Sequence, residues 1–287
     1  MARLLSIHAH PDDEASKGAP TIAKYVAEGH EAVLVCATGG EQGDILNPEM
    51  DRAEVRENLP KVRVSELEKS VEIIGFNHLD WLGYQDSGME DTESNTNPSC
   101  FARADFDEAV GKFVALIRQH RPHVIITYSD DQGYRHPDHL MVHDISVPAF
   151  ERAGDVNWYP EAGEPWQPTK LYYSVWSRAR LQAQQDTYQR LGLESPYSDE
   201  WFKRPSTDHR ITTKIEISEH HHVRRAALLA HATQVDPDEK FWFGLPEHEE
   251  VAAYPYDDYI LAQSHVTSST PETGSLETDL LEGVEDV

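Results

Sequence analysis

The sequence predicts an α/β fold: a Rossmann-like three-layer sandwich with a mostly parallel sheet and C-terminal α+β additions. Three observations predict it. Strand-like and helix-like segments alternate as β-α-β-α-β-α-β over residues 1–153, the order that builds a parallel sheet with helices on its faces. The run Ala32-Val33-Leu34-Val35-Cys36-Ala37 is apolar throughout, which suits a strand covered on both faces. Two short apolar runs, Leu4-Leu5-Ser6-Ile7 and Val124-Ile125-Ile126-Thr127-Tyr128, each lead into a loop rich in His and Asp. In open α/β sheets ligands gather outside the carboxyl ends of strands, so both loops lie where chemistry is expected.

The elements follow in order. Residues 3–8 make the first strand, and residues 17–28 a helix with Ala19, Ile22, Ala23, Val26 and Ala27 on its apolar side and Gly29 as its stop. The second strand, 32–37, ends in a Gly-rich loop at 38–44. A helix over 52–75 carries Val62, Leu67, Val71 and Ile74, with Pro60 placed to kink or divide it. Residues 78–84 form the third strand, 90–100 a polar surface loop, 105–120 a helix, and 123–128 the fourth strand. Residues 138–153 are helical until Pro148 perturbs them. Past Gly154 the texture changes: a long surface segment at 157–169, a strand at 170–175, a polar helix at 177–191 and a loop at 192–209. An alternating strand at 211–217, a helix at 219–231 and a strand at 259–261 complete the pattern. The organisation expected is a metal-binding core over 1–155, additions over 156–265 that complete the same domain and the substrate pocket, and an acidic tail over 266–287, mobile or loosely docked.

Bulk composition narrows the function classes. The formal net charge of −26 belongs to the whole body, since the tail supplies only six of the 51 acids. Such a surface repels phosphate backbones and anionic lipid, which argues against nucleic-acid and membrane partners and for a highly solvated, salt-tolerant exterior. No window approaches 18 apolar residues, and the N-terminal apolar run breaks at His8, so neither a membrane span nor a secretory leader is expected. Cys36 reads as a buried small hydrophobe and Cys100 as part of a polar loop; with nothing forcing a disulfide, a reducing cytoplasm is the expected compartment. Oligomerisation is not indicated.

The chemistry concentrates in His10-Pro11-Asp12-Asp13-Glu14 and in Tyr134-Arg135-His136-Pro137-Asp138-His139. His-Pro-Asp alone is a weak match; its double occurrence, each time after an apolar run, is the signal. His10, Asp13 and His139 together supply two imidazoles and a carboxylate, the ligand set of catalytic zinc and equally of non-haem iron(II), with positions left open. Asp12 favours hydrolysis, because an adjacent carboxylate is a general base for an attacking water and an oxygenase has no use for one. His136 is placed to give a proton to a leaving amine or to hold an oxyanion, Asp138 to orient His136 or His139, and Tyr134 to donate to a developing oxyanion. Blander roles compete: Asp12 and Asp13 as acids favoured at the start of a helix, and His220-His221-His222 as a solvated triplet pointing to different helix faces.

These two motifs resemble the zinc-dependent de-N-acetylases that act on N-acetylglucosaminyl lipids and thiols. The resemblance runs over roughly residues 1–265. Within it, Ser16-Lys17-Gly18-Ala19, Thr38-Gly39-Gly40-Glu41, Asn47-Pro48, Asp86-Ser87-Gly88, Gly163-Glu164-Pro165-Trp166, Lys170-Leu171-Tyr172-Tyr173 and His231-Ala232-Thr233-Gln234 resemble the branch of amidases that cut thiol–sugar conjugates. The sister deacetylases usually lack the lysine found at Lys17. The resemblance implies one divalent metal, zinc before iron(II), on His10, Asp13 and His139; Asp12 as base; His136 as second acid/base or electrostatic group with Asp138 as its partner; and Tyr134 on the oxyanion. It implies a small thiol–sugar conjugate as substrate, with Lys17, Arg63 and Asp86 as its contacts. Against that, Lys17 also reads as an exposed first-turn lysine, Arg63 as a partner of Glu66, and Asp86 as a turn residue. Gln132 stands where a more Gly-rich turn is implied.

Overall fold

A computed structural model describes residues 1–131, 134–266 and 276–284 of the chain. Gln132 and Gly133 lie outside the described residues, and so do 267–275 and 285–287 of the expected tail.

The elements in order are β1 (Arg3–His8), α1 (Asp13–Ser16), α2 (Ala19–Ala27), β2 (Glu31–Thr38), α3 (Ala53–Glu57), α4 (Leu59–Ile74), β3 (His78–Tyr84), α5 (Phe106–His120), β4 (Val124–Tyr128) and α6 (Pro137–Arg152). The second half adds β5 (Lys170–Val175), α7 (Arg178–Leu191), α8 (Asp199–Lys203), β6 (Thr213–Glu216), α9 (His221–Ala230), α10 (Lys240–Phe243), α11 (Glu247–Ala253) and β7 (Tyr256–Ser264). Among the described residues, seven strands form one sheet in the order β3-β2-β1-β4-β5-β7-β6. The first five are parallel and β7 runs antiparallel to both its neighbours. The sheet is therefore mostly parallel, as the apolar runs predict, and β5, β7 and β6 extend it with a mixed edge.

Alternation along β1 splits its side chains between two apolar layers. Leu4 points into a layer with Ile22, Leu34, Leu67, Tyr172 and Ala227; Leu5 and Ile7 point into one with Val33, Val35, Phe113, Val142 and Phe150. Helices α2, α4 and α9 cover the first face and α5 and α6 the second, which makes three layers. Each fully buried large side chain, such as Phe113, contributes about 1.5–3 kcal/mol of transfer free energy.

Local chemistry sets several boundaries. The single helix expected over 52–75 is two, divided at Asn58, and Pro60 falls at the second position of α4, where its missing N–H costs nothing. Asp105 caps α5 by accepting the Glu108 N–H at 2.9 Å. Pro148 does not end α6, which runs on to Arg152. The surface segment after α6 is pinned from below: the buried Arg118 donates to the carbonyls of Ala153 (3.1 Å), Asp155 (2.9 Å), Trp158 (2.8 Å) and Tyr159 (2.6 Å).

Three expectations need correction. Cys100 ends the expected polar loop, but its side chain is fully buried. His221 is buried although its neighbours His220 and His222 are not, because a triplet on a helix packed against a sheet must turn one face inward. The tail does not hang free where it is described: Leu280, Leu281 and Val284 join the first apolar layer. Glu277 reaches Lys170 Nζ at 2.8 Å and accepts from the hydroxyls of Tyr172 (2.6 Å) and Thr213 (2.7 Å).

Candidate active site

In this sheet order β2 and β3 lie to one side of β1 and β4 and β5 to the other, so the chain's progression reverses between β1 and β4. A crevice opens at the carboxyl ends of two such strands. The loop after β1 brings His10, Asp12 and Asp13, and the loop after β4 brings Tyr134, His136, Asp138 and His139. Local chemistry fixes the second loop: Pro137 opens α6, and His136 caps it, its Nδ1 accepting the Asp138 N–H at 3.2 Å. That bond leaves the ring proton of neutral His136 on Nε2.

His10, Asp13 and His139 are buried together, and their nearest ligand atoms lie within 4.8 Å of one another. Asp13 Oδ2 sits 3.4 Å from His10 Nδ1 and 3.2 Å from His139 Nε2. A second group, His10, Asp86 and His136, meets the same distance limit and shares His10. The imidazole of His10 separates the two. Its Nε2 lies between Asp138 Oδ2 at 3.2 Å and Asp86 Oδ1 at 3.5 Å, which fixes an N–H there and leaves Nδ1 as the lone-pair donor facing Asp13. The set His10 Nδ1, Asp13 and His139 Nε2 thus fits a divalent cation with open positions.

The electrostatics agree. Burial alone would lower His10, yet Asp13, Asp138 and Asp86 outweigh it and raise its pKa well above the ordinary imidazole value. So many carboxylates around one buried ring make a place that favours a cation. Burial opposes ionisation of Asp13 as well, but His139, Lys17 and His10 hold it well below the usual carboxylate range. His139 is lowered by burial, partly offset by Asp13. Burial and the charge of His10 push His136 down to about 4, so it is a neutral donor near pH 7.

Asp12 stands at φ 111°, a left-handed backbone that side chains other than glycine rarely adopt. Burial raises its carboxyl, and Arg63 pulls the other way. Arg63, expected among the substrate contacts, is only 3% exposed and donates to the Pro11 carbonyl at 2.6 Å, to Asp12 Oδ2 at 3.0 Å, and to the Gly40 carbonyl. It lies beneath Asp12 and does not pair with Glu66, which holds Thr233 instead. Gly40 makes this possible, since a Cβ there would overlap the guanidinium.

Asp86 is likewise buried and turned inward, accepting from the Gly88 N–H at 2.8 Å and the Gln42 N–H at 3.1 Å. Asp138 reaches His10 and Ser87, not the side chain of His136 as expected: Ser87 N–H donates to it at 2.9 Å, and so does the Ser87 hydroxyl. Tyr134 is 61% exposed, its ring 5.5 Å from that of His139 and its hydroxyl on Met89 Sδ at 3.4 Å. Lys17 Nζ rests on the outer oxygen of Asp13 at 2.5 Å and 5.4 Å over the Tyr128 ring.

Supporting roles not assigned from sequence belong to Tyr128, Ser87, Glu14 and His231. Tyr128 stacks on His139 at 4.5 Å and accepts the Ala9 N–H at 2.9 Å. Ser87 and His231 stand inside motifs that the sequence singles out, but only their contacts reveal what they hold.

Comparison with known proteins follows the same lines. The family model described as PIG-L: GlcNAc-PI de-N-acetylase matches residues 5–150, which span both motif loops. Over 99% of this chain and 98% of the relative, the sequence is 44% identical to mycothiol S-conjugate amidase of Streptomyces coelicolor. It is 37% identical to a 1D-myo-inositol 2-acetamido-2-deoxy-alpha-D-glucopyranoside deacetylase of Geodermatophilus obscurus, over 84% of this chain and 85% of the relative. Among solved structures, N,N'-diacetylchitobiose deacetylase from Pyrococcus horikoshii shares the fold, with a TM-score of 0.62 at 17% identity, covering 94% of this chain and 87% of that one. Two His/Asp loops converging at the β1/β4 crevice and these likenesses lead to one conclusion: the chain belongs to the PIG-L family of deacetylases and amidases.

Proposed function

We propose that this protein is a cytoplasmic, zinc-dependent amidase that cleaves mycothiol S-conjugates to glucosaminyl-inositol and an N-acetylcysteine S-conjugate, and so disposes of electrophiles. The observation that carries this reading is the 44% identity, over nearly the whole of both chains, to a mycothiol S-conjugate amidase. Lys17 beside Asp13 supports it, as an ammonium at the mouth of the loop that the sister deacetylases usually lack.

His10, Asp13 and His139 would hold the metal, with iron(II) as the alternative to zinc. A divalent cation there supplies Lewis acidity, polarising the amide carbonyl and acidifying the attacking water. Asp12 takes the water's proton as the C–O bond forms and returns it to the amide nitrogen as the C–N bond breaks, so that the sugar leaves as the free amine. Arg63 occupies one oxygen of Asp12 and leaves the other for that task. His136, neutral with its proton on Nε2, and the Tyr134 hydroxyl donate to the oxygen that gains charge as the carbonyl carbon becomes tetrahedral. Asp138 and Ser87 keep the His10 ring from turning.

A second reading is the deacetylase of mycothiol biosynthesis, favoured by relatives of that name at 35–40% identity. The test is a competition between the bimane conjugate of mycothiol and N-acetylglucosaminyl-inositol, on chelated protein restored with zinc or iron(II). The amidase reading expects kcat/KM for the conjugate to exceed that for the acetylated sugar by ~10-fold or more; the reverse order would select the deacetylase. Asp12→Asn is expected to keep its metal while kcat falls by ~10²–10⁴, and His139→Ala to lose metal and activity together. Full turnover by metal-loaded Asp12→Asn would remove the base assignment.

A further inference from the structure

We propose that Glu14 and His231 act as a positioning pair for Asp12, a task the two halves of the chain share. The proposal rests on Asp12 being the base. A left-handed aspartate backbone persists only where its surroundings over-determine it. Arg63 restrains the carboxylate of Asp12 and the carbonyl before it; Glu14 restrains the backbone N–H.

Both oxygens of Glu14 are engaged. Oε2 accepts the Asp12 N–H at 2.9 Å. Oε1 accepts from His231 Nε2 at 2.6 Å and from the Ser70 hydroxyl. The carboxylate cannot swing away from the Asp12 amide without breaking its bond to His231. None of the three is open to solvent: Glu14 is 2% exposed, and Ser70 and His231 are 0%. His231 is in turn anchored, because the turn after α9 is tied down on two sides. Thr233 donates to Glu66 through its N–H at 2.8 Å and its hydroxyl at 2.6 Å, and Asn47 Nδ2 donates to the Ala232 carbonyl at 2.9 Å.

His231 stands 217 residues after Glu14 and outside residues 5–150, the stretch that the family model matches. Its motif, His231-Ala232-Thr233-Gln234, is otherwise without a task in the reaction. A pair that only stabilised the fold would lower melting temperature and leave the chemical step alone. A pair that aims the base changes kcat, because sub-ångström displacement of a reacting group costs rate.

The test uses full-length, zinc-loaded protein and the bimane conjugate of mycothiol. His231→Leu keeps bulk and removes the donor; it is expected to lower kcat by ~30–100-fold with KM and zinc stoichiometry unchanged. His231→Gln, which restores an N–H, should recover kcat to within ~5-fold of wild type. In an Asp12→Asn background, His231→Leu should cost nothing further, since residues acting as one unit are non-additive. Wild-type kcat in zinc-loaded His231→Leu, or a loss that multiplies unchanged onto Asp12→Asn, would overturn the pairing while leaving the base intact. Wild-type kcat in Asp12→Asn would instead bring down the base. Ser70→Ala, a milder variant that removes one donor to Glu14, should lower kcat by ~3–10-fold and serves if His231→Leu does not fold; there an unchanged kcat overturns the proposal.

Discussion

Glu277→Gln probes how firmly the chain's end is built into the fold. The change is nearly isosteric and removes one charge. It leaves the Lys170 ammonium, whose side chain is 2% exposed, opposite a neutral amide that no longer compensates it. Breaking a buried pair by neutralising one partner costs about 3–5 kcal/mol. Glu277 also accepts from Tyr172 and Thr213, and an amide oxygen can keep only part of that network, so we take about 4 kcal/mol. Unfolding entropy of about 2.1 cal/mol/K per residue gives ~0.6 kcal/mol/K for a chain of 287 residues, so the melting temperature should fall by about 6–7 °C. Differential scanning calorimetry at constant metal load measures this. Lys170→Met combined with Glu277→Leu removes both charges and should recover at least half of the loss. A drop of under ~2 °C for Glu277→Gln would show that the segment contributes little and that the buried pair is not what holds it.

Two further outcomes follow from the site and its surroundings. Gly40→Ala puts a methyl group into the Arg63 guanidinium at a residue with φ +65°; it should lower kcat by ~10-fold or more while metal content stays at wild-type level, and an unchanged kcat would show that Arg63 can yield without moving Asp12. His221 is pushed from 6.5 down to about 3 by burial and by the neighbouring Arg224 and Arg180, so it is neutral when folded and takes up a proton on unfolding below 6.5. Its stabilising contribution is complete above that pH and is lost as the pH falls toward 3, at up to ~1.4 kcal/mol per pH unit. Urea unfolding between pH 7 and 4.5 should therefore show a steeper acid loss for wild type than for His221→Gln, and equal slopes would count against a buried neutral ring.

Much of this was readable in advance because it is local. A strand buried on both faces announces itself as an unbroken apolar run; His10 and Asp13 lie in the segment that follows one such run, and His139 lies beyond the loop that follows another. What could not be read depends on pairs far apart in the chain. Arg63 looks like any helix arginine until Gly40 is seen to make room for it. Asp138 sits two residues from His136, yet its carboxylate turns to His10, 128 residues away. The residues 256–258 that open β7 are Tyr-Asp-Asp, a poor strand signal; Asp257 is tolerated there because Arg224 and Thr21 reach it from α9 and α2. Glu277 carries no local pattern at all, and its partners lie 64 to 107 residues earlier.

The position of β7 between β5 and β6 has a consequence for how the molecule is made. Strands β1 to β5 emerge from the ribosome in time to pair among themselves, whereas β6 has no neighbour until residues 256–264 are synthesised. Through that interval the nascent chain presents the bare flank of β5, with Leu171 and Tyr172 along it, to whatever else is nearby. An exposed strand flank recruits other chains as readily as its own partner. Among the strands of the described residues, β7 is made after the others, and its arrival closes the window for aggregation.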